Sequence, residues 1–179
     1  MDELSTFATP PVPLESAVPV LPSTAGLYAW WAPMEVFETL PGPFHLARPD
    51  LRLLYIGTAS NLRRRIRGDH IRRSGTSTLR RTLAGLLLET ERYQTTWTDR
   101  VVLVPSDEVR LTEWMQRHLQ LNWVIEAESA PVETRLIAAL QPPLNARGIA
   151  AGATADTIRQ ARSSYRRSTV AEDSESPQF

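Results

Sequence analysis

The chain has 179 residues, 42% of them hydrophobic, and a formal net charge of zero, which suits one domain of ordinary size with a real core. It contains no cysteine, which excludes disulfides, thiolate zinc sites and cysteine nucleophiles. All 20 basic residues are arginine, so a lysine nucleophile or base is excluded as well. Without a long apolar run or a secretory signal pattern, the sequence predicts a cytoplasmic protein that has no membrane contact.

The first part of the chain is predicted to be an arm followed by two strands. Residues 1–22 are rich in proline and lack helical or strand periodicity, which predicts an extended N-terminal arm. The main domain is expected to span residues 23–150, with a short, aromatic first strand over 26–31. Residues 32–50 are rich in proline and are predicted to form a long connection to a second strand over 51–56. Strands joined in this way pair most simply as antiparallel neighbours.

A strongly basic stretch follows the second strand. Ser60 and Asn61 are candidates for a helix N-cap, and eight arginines lie between residues 63 and 81 with Asp69 as the only acid. In a chain without net charge, this concentration on one helix and its continuation indicates a surface that faces phosphates. The competing interpretation is an ordinary solvated helix face.

The rest of the chain shows periodic patterns of both kinds. In chain order they predict a helix over 79–88, a strand over 101–104, a helix from 106, a third sheet strand over 121–125 and a helix over 132–140. Residues 151–179 are expected to form a polar, partly disordered C-terminal tail, which includes a short arginine-bearing helix and is disordered from Ala171 onward.

Five short motifs occur in a fixed order along this framework: Gly26-Leu27-Tyr28, Tyr55-Ile56-Gly57, Arg65, Glu133 and Pro143-Leu144-Asn145. Each is weak alone, but the ordered set resembles the GIY-YIG nuclease family from about Gly26 to Asn145. The resemblance implies an α/β (α+β) fold with a small, mainly antiparallel three-stranded sheet flanked by helices. It also implies an endonuclease that hydrolyses DNA phosphodiester bonds with one divalent ion, Mg²⁺ or Mn²⁺, and without an organic cofactor.

The resemblance also implies a catalytic role for each motif residue. Tyr28 would be the general base near the attacking water, although a phenol with a pKa near 10 is a poor base unless a cation lowers that pKa. Tyr55 would hydrogen-bond the phosphate or the water, and Arg65 would contact the non-bridging oxygens. Glu133 would bind the metal together with water and substrate. Asn145 would orient Glu133 or cap the returning chain.

Each of these residues also has a purely structural interpretation. Taken without the motifs, Tyr28 and Tyr55 fit amphipathic core positions, and Glu133 fits an acid favoured near a helix N-terminus. The ordered set of motifs favours the catalytic interpretation.

Two features depart from the family pattern. The tyrosine triplets are further apart than is usual in the family, so residues 32–50 form an insertion near the site. Family members often carry a histidine four residues after the arginine, but Asp69 stands there, and His70 lies about 100° further round a regular helix. We expect Asp69 to pair with Arg65. His70 remains a catalytic candidate if the helix ends or tightens near Gly68.

The other arginines of the basic stretch differ in helical register from Arg65. We expect them to follow the DNA backbone: Arg63, Arg64, Arg67, Arg72, Arg73, Arg80 and Arg81. Cleavage of a palindrome with one site per subunit would require a homodimer. Restriction-type and repair or structure-specific roles are both open. The alternatives are a catalytically inactive nucleic-acid-binding module and a regulatory protein whose basic helix meets an acidic partner.

Overall fold

The computed structural model describes residues 3–169 and contains one larger sheet and one hairpin. The strands, in chain order, are β1 (Val12–Pro13), β2 (Gly26–Pro33), β3 (Phe44–His45), β4 (Arg48–Ala59), β5 (Thr95–Trp97), β6 (Val101–Leu103) and β7 (Gln120–Ile125). Five of them form an antiparallel sheet in the order β1-β7-β2-β4-β3, and β5 pairs with β6 separately.

Helices cover both faces of the sheet. They are, in chain order, α1 (Leu14–Val20), α2 (Leu62–Arg64), α3 (Thr78–Leu87), α4 (Pro105–His118), α5 (Ser129–Leu140) and α6 (Ala153–Arg167). Short 3₁₀ turns occupy Glu3–Phe7 and Met34–Phe37, and α2 continues as a π-helical stretch over Arg65–His70. Within residues 3–169, no helix combines the length and the apolar character needed to cross a membrane.

The sheet has five strands, whereas the sequence predicted three. The three predicted strands are the central ones, β2, β4 and β7, and this part of the prediction is confirmed. The additional strands, β1 and β3, lie at the two edges and have two residues each. Strands this short leave no periodic signal in a sequence, which is why they were missed.

The central strand β2 divides the core into two layers. All residues from Gly26 to Ala32 are buried, as expected for a strand covered on both faces. Tyr28 and Trp30 face the larger layer, built from α1, α3, α4 and α6, while Leu27 and Ala29 face the layer around α5. The two-residue period of the strand therefore directs the Tyr28 side chain toward the larger helical layer.

The N-terminal segment is part of the core, which corrects the prediction of an extended arm. Phe7 is buried against the α5 layer, and its carbonyl accepts hydrogen bonds from Asn122 Nδ2 (3.1 Å) and His45 Nε2 (2.8 Å). Further along, β1 pairs with β7, and α1 buries Leu14 and Ala17. These anchors come from distant parts of the chain, so local periodicity carries no trace of them.

The arginine-bearing helix predicted in the C-terminal part exists as α6. It packs closely on α3, where a Cβ at Gly85 would overlap the carbonyl of Ala161. The predicted disorder from Ala171 onward lies outside the described residues.

Candidate active site

Tyr28 and Tyr55 lie side by side on the neighbouring strands β2 and β4. Their ring centroids are 6.4 Å apart, and the ring planes are inclined by 27°. Gly57 is the residue opposite Tyr28 in the β2–β4 register. A Cβ at position 57 would overlap the Tyr28 ring and hydroxyl, so only glycine lets the phenol lie across the backbone of β4. The glycine of the second triplet therefore serves to place the tyrosine of the first.

A buried hydrogen-bonded chain begins at the Tyr28 hydroxyl. This oxygen lies 2.6 Å from His70 Nε2, and His70 Nδ1 lies 2.7 Å from Ser77 Oγ. His70 and Ser77 are fully buried, and Tyr28 is almost so. Ser77 also caps α3, because its oxygen accepts a hydrogen bond from Arg80 N (3.1 Å). We call Tyr28, His70 and Ser77 the inner chain.

The π-helical stretch Arg65–His70 explains how His70 reaches Tyr28. Ile71 N donates to Ile66 O at 3.0 Å, a bond between residues five apart. The wider turn holds one extra residue, so the fifth residue after Arg65 lies on the face that the fourth would occupy in an α-helix. The sequence predicts that His70 reaches the site only if the helix ends or tightens near Gly68. The helix widens instead, and His70 lies in the site.

Arg65 contacts the inner chain from the more exposed side. Its Nε lies 3.4 Å from the Tyr28 hydroxyl, and its Nη1 donates to Asp69 Oδ2 (3.1 Å) and to Thr76 O (3.4 Å). The predicted pairing of Arg65 with Asp69 is therefore confirmed. Within residues 3–169, its other terminal nitrogen, Nη2, donates to no protein acceptor at hydrogen-bond distance.

Glu133 shares the electrostatic environment of the two tyrosines. Burial raises the pKa of this half-buried carboxyl on α5, and the Thr58 backbone N–H and the Arg65 charge lower it. The charge of Glu133 also raises the pKa values of Tyr28 and Tyr55, and the charge of Arg65 lowers both of them. The convergence of Glu133 with the two phenols and the guanidinium stays a prediction, which this electrostatic coupling supports. We call Arg65, Asp69 and Glu133 the charged rim.

The inner chain is neutral at physiological pH. Burial raises the pKa of Tyr28 well above its ordinary value, with a further contribution from Tyr55, and burial also raises the pKa of Tyr55. Burial, followed by the charges of Arg65 and Arg80, holds the pKa of His70 well below its usual range. A neutral imidazole carries one ring proton, so His70 Nε2 can accept the phenol proton in the tautomer that has its proton on Nδ1.

Asn145 attaches the returning chain to the edge of β4. Its Oδ1 accepts from Ile56 N (2.9 Å), and its Nδ2 donates to Ile56 O (2.8 Å). Leu144 N donates to Leu54 O (2.9 Å) beside it. Both polar atoms of the Asn145 side-chain amide therefore form hydrogen bonds with the backbone of β4. Of the two predicted roles, this geometry fits capping of the returning chain and not orientation of Glu133.

The basic stretch divides into an exposed part and a buried part. Its exposed members, which we call the α2 arginine surface, are Arg63, Arg64, Arg67, Arg72 and Arg73. Arg81 is half-buried and donates to Ser74 O and Gly75 O.

Arg80 is buried, which corrects its predicted contact with DNA. Its side chain has no exposed surface, and its Nη2 pairs with Glu108 Oε2 at 2.7 Å. Its Nη1 donates to Ile71 O (2.7 Å), so this guanidinium joins α3 to α4 and to the end of the π-helical stretch. Arg80 has the same basic sequence pattern as its exposed neighbours, and only the tertiary packing separates them.

Ser77 is a site residue that the sequence did not identify. Its side chain caps α3 from the position just before that helix. Its contact with His70 spans seven residues through a π-helical turn, and no local sequence signal reports that contact.

Glu133 provides a single carboxylate, which suits a hard divalent cation that takes its other ligands from water and substrate. Among residues 3–169, no three His, Cys, Asp or Glu side chains cluster closely enough to hold a metal ion. Glu133 forms no ion pair with another described residue, and burial raises its pKa. Mg²⁺ commonly binds through one or two carboxylates, with water and phosphate oxygens completing its shell. Glu133 fits that pattern.

Comparison with known proteins identifies the fold family. The family model described as GIY-YIG catalytic domain matches residues 26–166, a span that contains every residue of the site described above. Neither the curated proteins nor the solved structures gave a match. The matched span covers most of the 179 residues. The chain therefore belongs to the GIY-YIG catalytic domain family, which is a family of nucleases.

Proposed function

We propose that the protein is a metal-dependent endonuclease that hydrolyses phosphodiester bonds in DNA. The observation that carries this proposal is the contact of the Tyr28 hydroxyl with His70 Nε2 on one side and Arg65 Nε on the other. A phenol between a proton acceptor and a permanent cation is suited to activating a water molecule beside a phosphate. Membership of a nuclease family supports the same reaction class.

The inner chain supplies the proton acceptor. As the water attacks phosphorus, its proton passes to the Tyr28 oxygen while the phenol proton passes to His70 Nε2. This requires the His70 tautomer that carries its proton on Nδ1 and donates it to Ser77 Oγ. The Ser77 oxygen has a second lone pair for this bond, since the first accepts from Arg80 N. Tyr28 thus remains neutral throughout, and the positive charge formed on His70 is stabilised by Ser77.

Arg65 stabilises the charge that develops on the phosphate. Asp69 and Thr76 hold one terminal nitrogen of the guanidinium, and Tyr28 lies at Nε. The remaining terminal nitrogen is available to a non-bridging phosphate oxygen. A fixed guanidinium costs little reorganisation as charge builds up in the transition state. Tyr55 lies alongside Tyr28 and would donate its hydroxyl proton to the same phosphate.

Glu133 would hold the divalent ion. A cation bound there would supply electrostatic stabilisation to the phosphate and to the leaving oxygen. The carboxylate itself lies in a half-buried position that raises its pKa, so a nearby cation would offset the cost of burying its charge.

Incubation of supercoiled plasmid with the protein and Mg²⁺ or Mn²⁺ tests this proposal. The variant Glu133→Gln should not cleave, because it keeps the side-chain shape but loses the charge that binds the ion. Glu128→Gln is the matched control, since Glu128 is an exposed acid just before α5. Cleavage by Glu133→Gln at the wild-type rate would refute the proposed site.

The products distinguish the biological roles. Discrete fragments from linear DNA would indicate a restriction-type enzyme, whereas cleavage confined to branched or flapped DNA would indicate a repair role. DNA binding without cleavage under any metal would indicate the inactive binding module instead. A sedimentation measurement in the presence of a palindromic duplex would detect the homodimer that symmetric cleavage needs.

A further inference from the structure

The C-terminal helix α6 has a basic face that the motifs of the family do not include. The helix contains four arginines and one acid, Asp156. Its buried side is formed by Ile158, Ala161 and Tyr165. Next to this side, three arginines follow the i, i+3, i+7 spacing of a single face: Arg159, Arg162 and Arg166. We call these three residues the α6 arginine face.

The α6 arginine face lines a surface cavity of about 250 Å³. The opposite wall is the chain that returns after α5, including Pro143, Asn145 and Ile149. A water molecule occupies roughly 30 Å³ in the liquid, so the cavity has room for a phosphate group together with several waters. Three guanidinium groups around such a space make it suited to an anion.

Arg162 connects this cavity to the active site. Its Nη2 donates to Leu144 O (2.8 Å), and Leu144 N donates to Leu54 O (2.9 Å), the residue before Tyr55. Asn145, in the cavity wall, is bonded to Ile56 on the other side of Tyr55. The charge of Arg162 accordingly lowers the pKa of Tyr55. The cavity therefore lies against the strand segment that carries the second catalytic tyrosine.

The charges of this face are incompletely compensated by the protein. Arg159 pairs with Asp156 at the surface. Among the described residues, Arg162 donates only to neutral oxygens, those of Thr82 and Leu144, and burial lowers its pKa. Arg166 is exposed and forms no ion pair with any residue from 3 to 169. A bound anion would satisfy Arg162 and Arg166 without displacing an existing carboxylate.

We infer that the α6 arginine face binds a backbone phosphate of the DNA substrate, next to the phosphate that is cleaved. This inference rests on the proposed function, because the DNA must pass the active site for the two phosphates to belong to one strand. The substrate then contacts the protein at two separate surfaces, the α2 arginine surface and the α6 arginine face. Phosphate contacts of this kind set the register of the strand without reading its sequence.

DNA binding by the double variant Arg159→Gln/Arg166→Gln tests the inference. Both residues are exposed, so the variant should fold, and Arg162 is left in place because it holds Leu144. The Glu133→Gln background separates binding from cleavage. Fluorescence anisotropy with a short labelled duplex should show Kd rising on the order of tenfold. The slope of log K against log salt should become shallower by about 0.9 for each phosphate that the variant no longer neutralises.

Arg167→Gln is the matched control, since it removes the same charge from the same helix about 100° away from Arg166. Its effect should be much smaller. Equal reductions in affinity for Arg167→Gln and for Arg166→Gln alone would reduce the effect to general charge attraction and overturn the inference. Unchanged binding in the double variant, with weakened binding in Arg64→Gln/Arg67→Gln, would also overturn it and would leave the proposed function intact. Cleavage that does not depend on Glu133, with binding that depends on α6, would instead refute the proposed function and support phosphate binding at α6.

Discussion

The inner chain and the charged rim meet at one phenol but differ in almost every physical property. The inner chain is buried and neutral, and its two hydrogen bonds are 2.6 and 2.7 Å long. The charged rim is half-buried and contains the Arg65–Asp69 ion pair, and Arg65 Nε lies 3.4 Å from the Tyr28 hydroxyl. Burial favours the neutral forms that pass a proton, whereas partial exposure keeps the ionised forms that attract a phosphate and a cation. In the proposed mechanism, proton transfer therefore takes place in the buried part of the site, and charge stabilisation takes place in the more exposed part.

Removal of the rim carboxylate should have the largest effect. Glu133→Gln should reduce the cleavage rate on the order of 10³-fold or more, because the site loses the carboxylate that is proposed to hold the divalent ion. The same variant should be as stable as the wild type or slightly more so. Burial raises the folded-state pKa of Glu133, so its charged form lowers the stability at pH values above that pKa.

Plasmid cleavage and a thermal melt at neutral pH measure the two effects of Glu133→Gln. We expect Tm to rise by a few degrees at most. A large fall in Tm would show that Glu133 supports the fold, and it would weaken the distinction between the charged rim and the inner chain.

Interruption of the inner chain should have the next largest effect. His70→Gln keeps a polar side chain beside Tyr28 but cannot take up its proton at neutral pH. We expect a rate reduction of about 10²- to 10⁴-fold, the usual contribution of a general base. DNA affinity should stay within about twofold, because His70 is fully buried and would not contact the substrate. Single-turnover kinetics separate the two quantities, and a fall in affinity without a fall in rate would contradict the proton-acceptor role.

Gly57, which leaves room for the Tyr28 phenol, provides a test that changes no residue of the inner chain or of the charged rim. Gly57→Ala should displace the Tyr28 ring, lowering stability by about 1–3 kcal/mol and the cleavage rate by roughly 100-fold. Gly68→Ala is the control, because a Cβ at that position meets no heavy atom within 4 Å. Denaturant titration and plasmid cleavage should therefore separate the two alanine variants. If both variants behaved alike, the close fit of Tyr28 against β4 would be irrelevant to catalysis.

The smallest effect concerns the dependence of stability on pH. The folded-state pKa of His70 lies well below its unfolded value near 6.5, so the unfolded chain binds a proton that the folded chain does not. Stability should therefore fall as pH decreases below about 6.5, by up to about 1.4 kcal/mol per pH unit. Replacement by Gln should remove most of this slope. Denaturant titrations of wild type and His70→Gln across this range provide the test, and parallel curves would contradict a neutral His70.

Sequence patterns predicted the parts of the molecule that are regular over several residues. The three central strands and the predicted helices leave a periodic trace, and the residues Tyr28, Tyr55, Arg65 and Glu133 were found because they belong to an ordered set of motifs. The placement of the two tyrosines side by side follows from the antiparallel pairing of β2 with β4.

The parts that sequence patterns missed depend on contacts between distant residues. Pro13 and Phe44 belong to edge strands whose two-residue length gives no period, and Phe7 is anchored by hydrogen bonds from Asn122 and His45. Arg80 has the same local context as the exposed arginines before it, and only its pairing with Glu108 on α4 takes it into the interior. No local pattern distinguishes these cases.

The wide turn between Arg65 and His70 has a consequence for how this chain is compared with its relatives. Counting positions assigns Asp69 to the place of the family histidine, so a column-by-column alignment would report the imidazole as missing. The backbone accommodates one surplus residue within the turn, and the ring still meets the phenol. In such a case, the absence of a side chain should be judged from helical phase rather than from the residue count, because a sequence that lacks the histidine at the expected position can still place an imidazole beside the tyrosine.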